Sequence, residues 1–339
     1  MTRKTLEDAK ASIFKPAQEP LGLTIKGYEA NEPFSLEKLS ESYKSTGFQG
    51  TYLGNAIDIL RRMRAEREQA GEGFKVFLGF TSNQVSSGNR ELIRYLVEHK
   101  FVDALVTTAG GIEEDIIKCQ KPFILGDFRA PGKELRDAGI NRTGNIFVPN
   151  DRYIGYEAFL RPIFDELTNN NTKQAIITPS ELIKTLGERI NDNSSICYWA
   201  AKHNIPVFCP AITDGSTGDI AYFHQINELN KGRQFLFIDS LKDNAALNSL
   251  AITADKTGAL ILGAGLVKHQ ILNANMMREG LDYAVYINTS FEFDGSDSGA
   301  EPEEAKSWGK VASDANTVKV TCDATIALPI IIVSVWQQQ

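Results

Sequence analysis

At 339 residues, with 42% hydrophobic and 23% charged side chains, the chain can bury a large core and has the composition of an ordinary globular protein, which excludes disordered and fibrous classes. Its 43 acidic against 36 basic residues give a net charge of −7, which argues against nucleic acid as the main partner and suits a cationic one. No apolar run approaches the roughly 20 residues of a membrane helix and "MTRKTLEDAKASIF" lacks a signal-peptide core. Cys119, Cys197, Cys209 and Cys322 stand alone, so the expectation is a cytoplasmic protein with reduced thiols, no metal and no membrane contact.

From residue 74 onward, short apolar runs alternate with helical patterns. "FKVFLGF" predicts a strand, followed by the small polar stretch "TSNQVSSGN" and by "RELIRYLVEHK", whose Leu92, Ile93, Leu96 and Val97 share one helical face. "FVDALVTTAGG" predicts a second strand with a small-residue end, and "IEEDIIKCQ" a helix. Thr178, Pro179 and Glu181 open "TPSELIKTLGERI" with an N-cap, a first-turn proline and a capping box. Next come "SICYWAAKHN", the strand "IPVFCPAIT", the strand "GALILGAG" with the helix "LVKHQILNANMMREG", then "DYAVYINTS" and "TVKVTCD". The tail "IALPIIIVSVW" reads as a buried terminal helix. This alternation predicts an α/β fold, Rossmann-like, with a mostly parallel sheet covered by helices on both faces. No linker or composition shift follows residue 30, so residues 1–30 form an N-terminal extension and 31–339 one large domain.

In open parallel sheets, ligands bind beyond the carboxyl ends of the strands. Here those ends read "TSNQVSSG", "TTAGG", "TDGSTGD", "GAG", "NTS" and "CDA", small enough for backbone N–H groups to approach phosphates and ribose hydroxyls. No G-x-G-x-x-G opens a helix, so the pattern indicates a nucleotide-type ligand without the usual dinucleotide fingerprint.

The stretch 291–304, "FEFDGSDSGAEPEE", gathers six carboxylates immediately before "AKSWGK". Pro302 and Gly309 bracket a short helix, with Glu304 and Trp308 on one face and Lys310 just past its end. An indole wall beside a lysine lowers the amine's proton affinity and favours nucleophilic use; a lysine stem merely packing on the ring is the plain alternative. Acids at both ends of an apolar channel suit a polyamine, since a carboxylate about 4 Å from an ammonium gains about 4 kcal/mol at an effective dielectric of 20. Asp297, Glu304, Asp219 and the pair Glu113–Glu114 are candidates for such a tunnel, with Trp308 as its wall and His269 as a base.

These stretches, from "TGFQGTYLG" almost to the C-terminus, resemble the deoxyhypusine synthase family: "LGFTSNQVSSGNRELIRYLVEHKFVDALVTTAGGIEEDIIKC", "AITDGSTGD", "KHQILNANMMREG", "YAVYINTSFEFDGSDSGAEPEEAKSWGK" and "VKVTCDAT". The resemblance implies NAD-dependent transfer of the aminobutyl group of spermidine to one lysine of the translation factor 5A precursor. It further implies a homotetramer whose active sites lie at dimer interfaces. It makes Lys310 the covalent nucleophile and His269 the proton acceptor, and assigns Asp219, His269, Gly295, Ser296, Asp297, Glu304 and Trp308 to the polyamine pocket. Glu113 and Glu114 lie between pocket and cofactor. Ser82, Asn83, Ser86, Thr108, Ala109, Gly110, Asp214, Ala264, Thr289, Ser290, Asp323 and Ala324 are assigned to NAD, with Asp294 as a further candidate. Ala264 stands where members often have glycine, Gln270 where a second histidine is common, and the N-terminal segment, a plug at the active-site entrance in many members, is short. The sister branch, homospermidine synthase, moves the same group onto putrescine; "ILNAN", with Ile271 and Asn275, resembles the protein-modifying branch. A regulatory paralogue would lack the nucleophile or pocket acids, all of which are present.

Overall fold

A computed structural model of the chain describes residues 5–169, 175–233 and 235–337. Its strands are β1 (Phe74–Phe80), β2 (Ala104–Thr107), β3 (Ile124–Leu125), β4 (Ile140–Thr143), β5 (Ile146–Pro149), β6 (Ile176–Ile177), β7 (Val207–Phe208), β8 (Phe237–Ile238), β9 (Lys256–Leu262), β10 (Leu281–Asn288) and β11 (Val311–Thr321). Six of them form one sheet in the order β11-β10-β9-β1-β2-β7, with every neighbouring pair parallel. This is the parallel α/β architecture expected from the alternation.

Period-2 side-chain alternation divides the sheet's residues between two cores. Val76, Leu78, Phe80, Leu260, Leu262, Val285 and Ile287 pack on one face against Ile57 and Leu60 of the helix Phe48–Ala70 and against Leu328 and Ile331 of the terminal helix Ala324–Val335. Phe77, Ala259, Ile261, Ala284 and Tyr286 pack on the other against Val267 and Ile271 of the helix Leu266–Met276 and Leu247 of the helix Ser240–Ile252. Both faces are therefore dry, which explains why the strands read as continuous apolar runs.

Register sets the site. Phe80 lies beside Leu262, Leu262 beside Ile287, and Asn288 beside Thr321. Four strands thus end level, and the segments starting at Thr81, Gly263, Thr289 and Cys322 emerge side by side; the Thr81 N–H donates to Leu262 O at 3.2 Å.

Several elements differ from the sequence reading. The helix placed at Ile112 begins at Ala109, because Thr108 already adopts the extended N-cap conformation. β11 starts at Val311, well before "TVKVTCD". The sequence reading passed over a three-stranded antiparallel sheet, β3-β5-β4, and the pair β6-β8. The 12-residue helix Pro179–Ile190 carries the expected proline and both hydrogen bonds of the capping box. In the extension, residues 1–4 lie outside the described residues, and the helix Leu6–Ile13 is capped by Thr5 and buries none of its side chains.

Candidate active site

Where the four strands end level they open a cleft of about 280 Å³, lined by Thr81, Asn83, Gln84, Gly263, Ala264, Ile287, Asn288, Thr289, Ser290, Cys322, Asp323 and Ala324. Of the residues assigned to a cofactor, Asn83, Ala264, Thr289, Ser290, Asp323 and Ala324 line it directly. Asp323 caps the terminal helix, with Oδ1 accepting both the N–H and the hydroxyl of Thr325 at 2.9 Å. Ser82, Ser86, Thr108, Ala109 and Gly110 stand one strand along, where the Ser82 N–H donates to Thr108 Oγ1 at 3.1 Å. Gly110 permits that approach, since a Cβ there would sit 2.8 Å from the Ser82 Cβ. Asp214 lies in the turn after β7, exposed and outside the cleft lining. Thr81, Gln84, Gly263, Asn288 and Cys322 lie within the strand ends that the sequence singles out without assigning them individually, and Ile287, the last core residue of its strand, has no such signal.

Next to these groups are two almost fully buried carboxyls. Glu113 accepts the Thr217 N–H at 2.6 Å, at the N-terminal end of the helix Ser216–Asn230. Burial nevertheless holds its carboxyl above the usual range, despite the hydrogen bonds from Thr217 and Ser216, and neighbouring Asp219 adds to the rise. Glu114 accepts the Ser86 hydroxyl and is pushed up to about 7, mainly by burial. A carboxyl poised near neutrality can both give and take a proton. Asp219 itself is exposed in the first turn of the same helix.

The acidic loop brings two further candidates together. Asp297 Oδ1 lies 3.4 Å from His269 Nδ1, which orients the ring and leaves Nε2 for a ligand. The other oxygen, Asp297 Oδ2, is buried with no partner among the described residues. Underneath lie two nearly buried lysines the sequence reading overlooked. Lys268 Nζ donates to the carbonyls of Asp297 and Ala300, the latter at 2.8 Å, over the Tyr286 ring at 5.0 Å. Lys319 Nζ donates to Gly299 O at 2.6 Å and sits 3.2 Å from Glu301 Oε1. Burial lowers the Lys268 pKa, with Asp297 opposing the shift. Gly295 turns the loop at φ +70°, and the Ser296 N–H donates to Asp294 Oδ1 at 2.9 Å.

The helix Pro302–Ser307 then carries the chain away from the cleft. Glu304 is exposed on it, Trp308 follows as its C-cap, and Gly309 reverses the chain at φ +67°. Lys310 Nζ sits over the Trp308 ring at 5.6 Å. Its backbone O accepts from Leu281 at the start of β10, whereas Cys322 N donates to Asn288 O at that strand's end. The eight-residue β10 therefore separates Lys310 from the cleft of its own chain by roughly 23 Å at about 3.3 Å per residue, well beyond the reach of one lysine side chain. The chain thus pairs His269 with Asp297, Glu113 with Thr217 and Lys310 with Trp308. It does not bring Lys310 to its own strand-end cleft. Gln270 turns aside to Asn244 at 2.8 Å, and Asn275 is buried with Nδ2 donating to Ile271 O at 2.9 Å.

Residues 38–335 match the family described as deoxyhypusine synthase. A deoxyhypusine synthase of Musa acuminata is 48% identical, with 99% of this chain and 95% of the relative aligned. A homospermidine synthase of Senecio vulgaris is 47% identical over 97% of this chain and 94% of its own. A solved structure described as a deoxyhypusine synthase from Entamoeba histolytica superposes with a TM-score of 0.67 at 35% identity, covering 92% of this chain and 97% of that one.

Proposed function

The chain belongs to the deoxyhypusine synthase family, and from that premise we propose that it transfers the aminobutyl group of spermidine to a lysine of the translation factor 5A precursor, using NAD and Lys310. One observation carries the reading: Lys310 is held over Trp308, just past a helix that begins five residues after Asp297, the partner of His269. In this reading the Lys310 amine attacks the carbon–nitrogen double bond made in spermidine, diaminopropane leaves, and Lys310 holds the butylamine moiety as an imine. The acceptor lysine then displaces Lys310. His269, oriented by Asp297, takes protons as the amines react.

The cleft fits NAD by the chemistry of its lining: the Asn83, Thr289 and Ser290 groups suit phosphate and amide oxygens, and Asp323, whose Oδ1 is committed to Thr325, has Oδ2 for a ribose hydroxyl. When bound, NAD supplies a hydride acceptor that later returns the hydride, so the net redox change is zero. The distance from Lys310 to its own cleft supports a site completed by a second copy, within a homotetramer.

The test is transfer of label from spermidine, with NAD, to precursor factor 5A and putrescine competing as acceptors. Label on one factor 5A lysine is expected. Label mainly in homospermidine moves the chain to the sister branch represented by the Senecio vulgaris relative, and no product with either acceptor overturns both assignments.

A further inference from the structure

Asp165, His224 and Glu228 form a cluster that the chemistry above leaves unused. His224 and Glu228 are four residues apart on the helix Ser216–Asn230, so one turn places both on the same face. Asp165 reaches them from the helix Asn150–Asn169. One ligand atom from each of the three lies within 4.8 Å of the others, and His224 Nε2 is 3.1 Å from Asp165 Oδ1. His224 and Glu228 are 7% and 3% exposed, whereas the Asp165 side chain is half exposed and leaves a path from solvent. Phe164 stands beside the imidazole at 5.6 Å between ring centroids.

We propose that these three residues bind a divalent cation of the zinc class and staple the two helices together. One imidazole nitrogen with two carboxylate oxygens suits Zn²⁺, Co²⁺ or Ni²⁺; Ca²⁺ and Mg²⁺ prefer all-oxygen shells. Ligand atoms about 2.0–2.2 Å from a tetrahedral zinc stand roughly 3.3–3.5 Å apart, so the 3.1 Å pair needs only slight opening. Water takes the fourth position. The present partners of Glu228 are Lys231 at 2.7 Å and Arg233 at 3.8 Å; both side chains are more than half exposed and free to swing outward.

The staple has a structural consequence. About three turns up the same helix, Tyr156 and Thr217 share a 2.8 Å hydroxyl contact between the two helices, and Thr217 N–H holds Glu113. A cation at the lower end therefore fixes the helix pair on which Glu113 depends, without touching substrate.

The experiment uses the full-length protein, stripped with chelator and dialysed. Zn²⁺ is titrated calorimetrically, and Co²⁺ is used as a spectroscopic probe. One Zn²⁺ per chain is expected, with a rise in Tm, and His224→Gln or Asp165→Asn should weaken binding at least tenfold and remove the Tm rise. Asp165→Asn changes only a half-exposed side chain and serves if His224→Gln fails to fold. The Co²⁺ spectrum should lack a thiolate charge-transfer band; such a band would place the metal on cysteine and overturn the proposal. Equal binding in wild type and both variants would do the same, and absence of binding would make Asp165–His224 a hydrogen-bonded pair only. The readout is metal binding and stability, so it stands or falls independently of the transfer activity.

Discussion

A mixing experiment tests the separation of Lys310 from the cleft of its own chain. Lys310→Ala removes the proposed nucleophile, and Ala264→Trp fills the cleft between Gly263 and Asn288. Each variant alone should fall below about a hundredth of wild-type transfer, because every site then carries one lesion. If Lys310 and the cleft come from different copies, co-expression in equal amounts restores sites that draw Lys310 from the cleft variant and the cleft from the lysine variant. Each condition is met half the time, so about a quarter of all sites are intact in a symmetric two-chain arrangement. The roughly 23 Å spanned by β10 leaves no in-chain route to this recovery. Label transfer from spermidine by the co-purified mixture is the assay, with the separately purified variants mixed at the last moment as the control for exchange. Recovery near a quarter supports the shared site. A co-expressed mixture no more active than either variant would refute it and require each chain to close its own site by moving the 302–310 segment.

Four further outcomes follow. Lys310→Arg keeps the charge but loses a usable nucleophile, so transfer should fall about a thousandfold or more while spermidine and NAD affinity, measured by calorimetry, stay within about threefold. Asp297→Asn should weaken spermidine binding by about ten- to a hundredfold and leave NAD binding intact, since a charged partner is worth roughly 1.5–3 kcal/mol; unchanged spermidine affinity would remove Asp297 from the pocket. Lys268→Met leaves the Asp297 and Ala300 carbonyls unpaired, which should cost about 2–4 kcal/mol in denaturant unfolding and raise the spermidine KM with little change for NAD. For Glu114, the folded carboxyl at about 7 binds its proton more tightly than the unfolded one at 4.5. Its contribution to stability is full below 4.5 and lost as pH rises through about 7, in all roughly 3 kcal/mol; Glu114→Gln should flatten that part of the stability–pH curve.

The sequence carried the sheet well because both of its faces are buried: "FKVFLGF" and "DYAVYIN" are apolar throughout and bounded by small polar ends, and they became β1 and β10. Caps were legible for a local reason, since Thr178 and Glu181 satisfy each other across one turn. Short exposed strands such as β3 and β8 have two residues each, too few for any period. The site candidates were read from strand-end composition and from order along the chain. Which of them meet depends on register and on crossing helices. Lys268 went unnoticed because a lysine inside "LVKHQIL" looks like a surface residue; only the fold shows its ammonium under two carbonyls of a loop about thirty residues away. The cluster of Asp165 with His224 and Glu228 was equally hidden, its members coming from two helices far apart in sequence.

The treatment of negative charge links these observations to the proposed reaction. The acids are not equivalent. Glu301 is balanced by the nearly buried Lys319, and the backbone around Asp297 by Lys268, so the loop can hold its carboxylates close together without repelling itself apart. Glu113 and Glu114 are balanced differently, by burial that favours the protonated form. Spermidine needs both kinds of acid. Its terminal ammonium groups call for fixed charge, whereas the central nitrogen must shed a proton before a hydride can leave the adjacent carbon. A permanently ionised carboxylate holds the cation but is a poor proton acceptor at neutral pH, and a carboxyl near 7 accepts and returns the proton at little cost. On the proposed reading, the loop carboxylates anchor the polyamine and His269 takes its proton, while Glu114, pushed up to about 7 by burial, is a second group able to exchange one. A net charge of −7 alone could not separate those two tasks; the difference in burial does.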